Sequence, residues 1–483
     1  MKKPMTLGAL KSAGYEYQSI KDELRKNLIY RIQNDKPLFE GIIGYEHSVI
    51  PQLKRAILSK HNINLLGLRG QAKTRIARLM TELLDEEIPV IKGSPINDDP
   101  LKPISKYAVE LIRDKGDDTP IEWLHRSERF YEKLATPDVS VADLIGDIDP
   151  IKAANLKLSY ADEEVIHYGM VPRANRCLFV INELPDLQAR IQVGLFSILQ
   201  EGEVQIRGFK LKMPLDVSFV FTANPEDYTN RGSIVTPLKD RIGSQILTHY
   251  PKSIEIAKEI TRQEAKPAIE GLHISEAARD LIESIGFEAR KSEYVDAKSG
   301  VSARLSISAF ENAISGAELR MLQNNESESS LRVLDIMNSS SAITGKVELV
   351  YEGEQEGADF VAQELIKKAV LHLFEQHFPK IDKLEKKGVA TPYDGLYTWF
   401  FENDPIELLD DAPDDFYKSE LDRIQPLDEL LRNHYPDCRE EERYFFKEII
   451  LWGLVAKDKL NSSRLDDKTS FNDLYNSYFS GLE

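Results

Sequence analysis

The chain has 483 residues, of which 42% are hydrophobic and 29% charged, a balance that fits a folded, water-facing protein of roughly two to four domains. No apolar run approaches the roughly 18–20 residues of a membrane-crossing helix, and the start, MKKPMTLGALKSAGYEYQ, lacks the apolar stretch of a secretory signal. Cys177 and Cys438 are the two cysteines and stand far apart, so neither a disulfide framework nor a paired metal site is expected, and a reducing cytoplasm without membrane insertion is the expected setting. A net charge of −18 with no Lys/Arg-rich stripe disfavours nucleic acid as a general partner.

In chain order, residues 1–40 form an N-terminal segment with helical spacing in IKDELRKNLIYRI. IIGYEHSVIPQLKRAILS reads as a loop and an amphipathic helix. NINLL has strand length and runs directly into GLRGQAKTRIARLM, giving strand, glycine-containing loop, helix. IPVIKG reads as a second strand. Residues 95–135 look like an insertion that is partly helical, because IEWLHRSERFYEKL has helical periodicity. CLFVI is a buried-strand candidate, LQARIQVGLFSILQEG a helix ending at Gly202, and EVQIRGFKLKMP a hairpin around Gly208. VSFVFTA and QILTHY complete five strands. Apolar strands alternating with helices predict an α/β fold with a parallel sheet covered on both faces, over 41–251. Residues 252–384 read as a helical domain that includes the amphipathic EGADFVAQELIKKAVLHLFEQHF. LEKKGVATPYDG reads as a linker, and 385–483 as an acidic, aromatic, helical extension.

The chemical signal is Gly67-Leu-Arg-Gly-Gln-Ala-Lys-Thr74. It follows the phosphate-loop pattern G-x-x-x-x-G-K-[ST], in which backbone N–H groups and a helix N-terminus hold phosphates. Lys73 would reach the β- and γ-phosphates, and the Thr74 hydroxyl would sit on Mg²⁺. Ala72 stands where glycine is usual, and the loop is expected to form if that residue keeps a right-handed conformation. An ordinary strand-to-helix turn with a Lys-Thr pair is the bland alternative.

About a hundred residues on, LFVI ends in Asn182-Glu183. Such a strand end supplies a metal-holding acid and then an acid that polarises water. Here the first position is an uncharged amide, so weaker Mg²⁺ binding is expected, while Glu183 is the candidate base. VSFVFTA ends at Asn224, placed to orient a water, and Arg241 in PLKDRIG could stabilise charge on a neighbouring subunit's nucleotide.

Taken together, these motifs resemble the AAA+ ATPases, in the branch of MoxR proteins and the magnesium-chelatase ATPase subunit, over about residues 41–251 with weaker support to about 320. VPRANRCLFVINE, LFSILQEGEVQIRGFKLKMP, TANPED and PLKDRIG carry the resemblance, and SGVSARLSISAF is similar to the lid segment bearing a second sensor arginine. The resemblance implies a P-loop αβα core with a five-stranded parallel sheet, then a helical lid and a helical C-terminal extension. It implies ATP and Mg²⁺ as cofactors, with Gly67, Arg69, Gly70, Gln71, Ala72, Lys73, Thr74 and Arg75 around the nucleotide. Thr74 and Asn182 would face the metal. Glu183 would activate water, Asn224 position it, Arg241 act in trans beside Asp240, and Arg304 act in cis. It further implies a homo-oligomeric, hexameric ring and a partner of the von Willebrand factor A type. The reading is an ATP-hydrolysing remodelling motor. A non-hydrolysing switch or scaffold, a chelatase subunit and a DNA-remodelling relative remain open alternatives.

Overall fold

The computed structural model describes residues 3–159, 162–206, 212–225, 233–265, 269–382, 391–465 and 468–474. They fall into two compact units, Met1–His249 and Tyr250–Glu483.

In the first unit, β1 (Ile63–Leu66) enters the loop and the helix Lys73–Leu79. β2 (Glu87–Ile91) and β3 (Ile121–His125) pair antiparallel, and β4 (Phe130–Leu134) follows a short turn. β5 (Gly146–Ile148) and β6 (Ile166–Tyr168) form a second antiparallel pair. β7 (Cys177–Asn182), β8 (Glu203–Gln205), β9 (Lys212–Pro214), β10 (Val217–Ala223) and β11 (Ser244–Leu247) complete the unit. The main sheet has the order β11-β1-β10-β7-β4, and every pairing in it is parallel. This is the expected five-stranded α/β core.

Two parts of the sequence reading are corrected. IEWLHRSERFYEKL is not helical: it splits into β3 and β4 around the turn Arg126–Glu128. Its apolar positions satisfy a helical period, yet pairing of β4 along β7 decides the outcome, because strand partners far away in sequence override a short local pattern. β2 is a strand but lies outside the five-stranded sheet, whose fifth member is β4.

The sheet is buried on both faces, and the period of two assigns its side chains. Cys177, Phe179, Ile181, Phe219 and Phe221 join one apolar cluster, while Leu178, Val180, Val220, Ile63, Leu65 and Ile246 join the other. Phe219 packs on Phe179 and on Phe221 with ring centroids 5.7 Å apart in each pair. Each such buried side chain is worth about 1.5–3 kcal/mol.

The helix Ile20–Gln33 is capped by Ser19, whose side chain accepts from the Asp22 N–H. Ile20, Leu24 and Leu28 recur every four residues and are buried in the second of these clusters. Glu23 makes a bidentate pair with Arg129 at 2.6 and 2.7 Å. Both side chains are buried, so losing either would strand a charge and cost about 3–5 kcal/mol. The expected hairpin is present as β8 against β9, with Val204 opposite Met213; Gly208 lies outside the described residues.

The second unit is mainly helical, with β12 (Leu272–His273) parallel to β13 (Ser329–Ser330). β14 (Ile406–Leu409), β15 (Asn461–Leu465) and β16 (Lys468–Asn472) form an antiparallel sheet of order β14-β16-β15, so the C-terminal region is not purely helical. One apolar cluster runs from Leu272 to Phe471 and includes much of the helices Ala358–His377 and Glu440–Val455. Arg304 opens the helix Arg304–Asn324 and is exposed. Among the described residues, no helix is long and apolar enough to cross a membrane.

Candidate nucleotide site

Strand register places the site. Leu66 of β1 lies beside Ala223 of β10, and Asn182 of β7 lies beside Leu134 of β4. The loop after β1 and the residues after β7 and β10 therefore meet at the carboxyl edge of the sheet, where parallel α/β sheets hold ligands.

The loop bends tightly. Gly70 has φ of 70° and Ala72 has φ of 55°. The loop thus forms with Ala72 left-handed, so the right-handed conformation set as its condition is not met. The turn into the helix Lys73–Leu79 needs a left-handed residue at this position, and the alanine Cβ carries a strain of about 1–2 kcal/mol. Strained residues of this kind concentrate at functional sites. Gly67 is required for another reason: a Cβ there would collide with Thr248 Oγ1 and Gln71 Oε1.

Behind the loop, Gln71 is buried and its Oε1 accepts from Thr248 Oγ1 at 2.6 Å. Tyr45 donates to the His249 carbonyl at 2.7 Å and lies 3.2 Å from the Gln71 carbonyl. Burial pushes the Tyr45 hydroxyl up to about 12, so it remains a donor at neutral pH. This network fixes the loop from the side away from solvent. The sequence reading singled out Gln71 but neither Tyr45 nor Thr248, which lie at opposite ends of the unit and have no motif spacing.

In front, the Lys73 ammonium donates to the Gly67 carbonyl, to the Leu68 carbonyl at 2.9 Å and to Asn224 Oδ1 at 2.7 Å. Two carbonyls and an amide oxygen thus hold the cation at the mouth of the loop. Thr74 Oγ1 lies 3.5 Å from Asn182 Oδ1. That oxygen also accepts from Thr222 Oγ1 at 3.1 Å, and the same hydroxyl accepts from the Glu183 N–H at 3.2 Å. Glu183 is half-buried and has φ of 56°, so a second strained residue turns the chain just where the candidate base stands.

Gly67, Gln71, Ala72, Lys73, Thr74, Asn182, Glu183 and Asn224 therefore gather at one sheet edge. Arg69, Gly70 and Arg75 are exposed on the loop and the first turn of the helix. Arg241 ends the helix Thr236–Arg241 and donates to Gln200 Oε1 at 2.8 Å and to the Pro237 carbonyl at 2.7 Å. Its guanidinium lies over Phe196, 5.0 Å from the ring centroid. Asp240 beside it is exposed. Arg304 belongs to the second unit.

The donor set fits a magnesium–triphosphate. Thr74 and Asn182 present hard oxygens, which Mg²⁺ prefers, and Lys73 presents a fixed cation for phosphate. Among the described residues no group of three or more His, Cys, Asp or Glu could hold a metal by itself, so phosphate oxygens and waters would complete the shell.

Sheet order, loop and strand end define an α/β protein with a parallel five-stranded sheet and a phosphate-loop-like turn at its carboxyl edge. The curated proteins that the chain is similar to are magnesium-chelatase subunits. The chain is 26% identical over 240 residues to the magnesium-chelatase 38 kDa subunit of Cereibacter sphaeroides, covering 48% of this chain and 64% of that protein. It is 25% identical over 234 residues to the magnesium-chelatase subunit ChlI of Nephroselmis olivacea, covering 47% and 61%. The matched region is thus less than two thirds of these two relatives' length. No family model matches. Among solved structures, a complex of magnesium-chelatase subunits BchI and BchD aligns with a TM-score of 0.35 at 19% identity, over 66% of this chain and 99% of that one. A RuvB mutant of Thermotoga maritima aligns with a TM-score of 0.36 at 12% identity, over 74% and 86%. Likeness at this level carries no functional assignment.

Proposed function

We propose that the chain is an ATP-binding and ATP-hydrolysing motor of the MoxR and magnesium-chelatase type, working in the cytoplasm as a hexameric ring that remodels or activates a partner protein. The observation that carries this reading is the Lys73 ammonium, held by two loop carbonyls and Asn224 at the edge where Thr74, Asn182 and Glu183 also converge. When bound with the nucleotide, Mg²⁺ would neutralise phosphate charge. Lys73 would exchange its carbonyl partners for phosphate oxygens, and Thr74 and Asn182 would face the metal. Asn224 would orient the attacking water, and the Glu183 carboxylate would accept its proton. Arg241 would serve a neighbouring subunit, since its own contacts are with Gln200, Pro237 and Phe196; this is the physical reason for a ring. Arg304 would act on the γ-phosphate in cis. The β8–β9 hairpin would press on the partner, for which a von Willebrand factor A-type protein is the first candidate.

Steady-state ATP hydrolysis with Mg²⁺, measured beside nucleotide binding, tests the reading. Wild type is expected to turn over. Glu183→Gln is expected to bind normally while losing about 10²–10⁴ in rate. Binding without turnover by the wild type, at concentrations that assemble rings, would favour a second reading. That reading is an ATP-dependent switch or scaffold, and the uncharged Asn182 is the observation behind it. A magnesium-chelatase subunit is the third, resting on the relatives' names.

A further inference from the structure

The uncharged amide at the end of β7 has a carboxylate behind it. Asn182 Nδ2 donates to Glu132 Oε1 at 2.6 Å. Glu132 sits in β4, in the neighbouring strand, where Leu134 pairs with Asn182. Its other oxygen, Oε2, accepts a fork from Arg78, at 2.7 Å from Nη2 and 3.2 Å from Nε. Arg78 stands one helical turn beyond Thr74 on the helix Lys73–Leu79. A chain of contacts therefore runs from Arg78 through Glu132 and Asn182 to Thr74.

This arrangement fixes which way the amide points. A carboxylate can only accept, so Asn182 must give it the N–H₂ group. The amide oxygen is then turned to the two hydroxyls of Thr74 and Thr222, at 3.5 and 3.1 Å. Without Glu132, the amide could rotate and present N–H donors to a cation. Glu132 also polarises the amide, because a hydrogen bond to a charged acceptor draws electron density toward the far oxygen. The ion pair to Arg78 does not account for the placement by itself. The Arg78 side chain is 64% exposed and that of Glu132 24%, and exposed pairs contribute little.

We propose that Glu132 is a positioning residue for the metal site: with Asn182 it forms a carboxylate–amide relay that does the work of the missing acid, orienting the Asn182 oxygen toward Mg²⁺ and supplying the negative charge from one residue further out. The inference rests on the nucleotide reading given above. It also changes what Asn182 means. The carboxylate then stands on the next strand, held there by Arg78, so the amide is not by itself a sign of a decayed enzyme.

The test is the Mg²⁺ increment in nucleotide affinity, measured with a fluorescent ATP analogue in excess Mg²⁺ and again in EDTA. Three full-length proteins are compared: wild type, Glu132→Gln, and the isosteric swap Glu132→Gln with Asn182→Asp. Glu132→Gln is expected to lose about tenfold or more of the increment, as removal of outer-shell partners does at metal sites, while affinity in EDTA is unchanged. The swap, in which the new Gln donates to the new Asp, is expected to recover the increment. A purely structural Glu132 would change thermal stability in every condition and leave the increment alone. A full increment in folded Glu132→Gln overturns the inference, as does a swap that recovers nothing. A wild type that binds nucleotide without any Mg²⁺ increment overturns the inference but leaves the nucleotide reading standing. A wild type that binds no nucleotide overturns both.

Discussion

The Lys73 ammonium and the Asn224 amide oxygen meet at 2.7 Å although they lie 151 positions apart in sequence. Parallel pairing of β1 with β10 brings them together, since Leu66 and Ala223 end those strands side by side. Lysine and asparagine thus share a contact that a triphosphate would break. Lys73→Ala is expected to weaken nucleotide binding by at least about tenfold, the scale of a charged hydrogen bond. Asn224→Ala should retain binding and slow hydrolysis by about a hundredfold through misplaced water. Equilibrium binding and steady-state turnover separate the two outcomes.

Ala72 at φ of 55° makes a simple prediction. Ala72→Gly removes the left-handed strain and adds flexibility to the unfolded chain, for a net stabilisation of about 0.5–1 kcal/mol. Nucleotide affinity should be unchanged or better. Urea denaturation of the two proteins, followed by a probe in the first unit, would reveal the shift; a loss of stability would contradict the strain argument.

Gly67→Ala should act in the opposite sense. The new Cβ meets Thr248 Oγ1 and Gln71 Oε1 on the buried side of the loop. Overpacking of this kind costs about 1–3 kcal/mol, and the displaced Gln71 would move the loop. A lower melting temperature together with lost nucleotide binding is expected, whereas Arg69→Ala on the exposed part of the loop should leave stability within about 0.5 kcal/mol.

The second unit carries a pH dependence. Burial pushes the Glu448 carboxyl up to about 7 from its ordinary 4.5, with Asp335 adding to the rise and hydrogen bonds from Tyr417 and Trp452 and the charge of Arg332 opposing it. The folded state holds a proton that the unfolded chain has released across that window. Stability should therefore be fullest below about pH 4.5 as far as this group is concerned, and fall as pH rises toward 7, by roughly 3 kcal/mol once complete. Glu448→Gln should flatten that slope in melting curves taken from pH 5 to 8. An unchanged slope would show that Glu448 is not the group responsible.

Where the sequence was readable, one strong signal sufficed. CLFVI is an uninterrupted apolar run and VSFVFTA a mostly apolar one, broken by Ser218 and Thr222, and runs of that length and composition fit a strand buried on both faces. Lys73-Thr74 after NINLL marked the loop. Glu132 could not be read in this way, because FYEKL has two aromatic residues, two charges and a leucine that fit a helix as well as an edge strand. Its partner Asn182 is 50 positions away, and only sheet register joins them. Thr222 lies within a mostly apolar strand, where a lone hydroxyl has no motif spacing to mark it. In the C-terminal region, NSSRL and KTSFN are too polar to announce strands, and their pairing depends on β14, which precedes them by more than fifty residues.

The apolar cluster of the second unit crosses the stretch that separates its early helices from its late ones. Phe374 of the helix Ala358–His377 sits so close to Gly453 of the helix Glu440–Val455 that a methyl group there would have no room. The last hundred residues are therefore a keystone and not an appendage. Cutting the chain near residue 384 to obtain a smaller protein would lay bare the apolar side of Ala358–His377, and the shortened chain would be expected to aggregate before nucleotide binding could be measured.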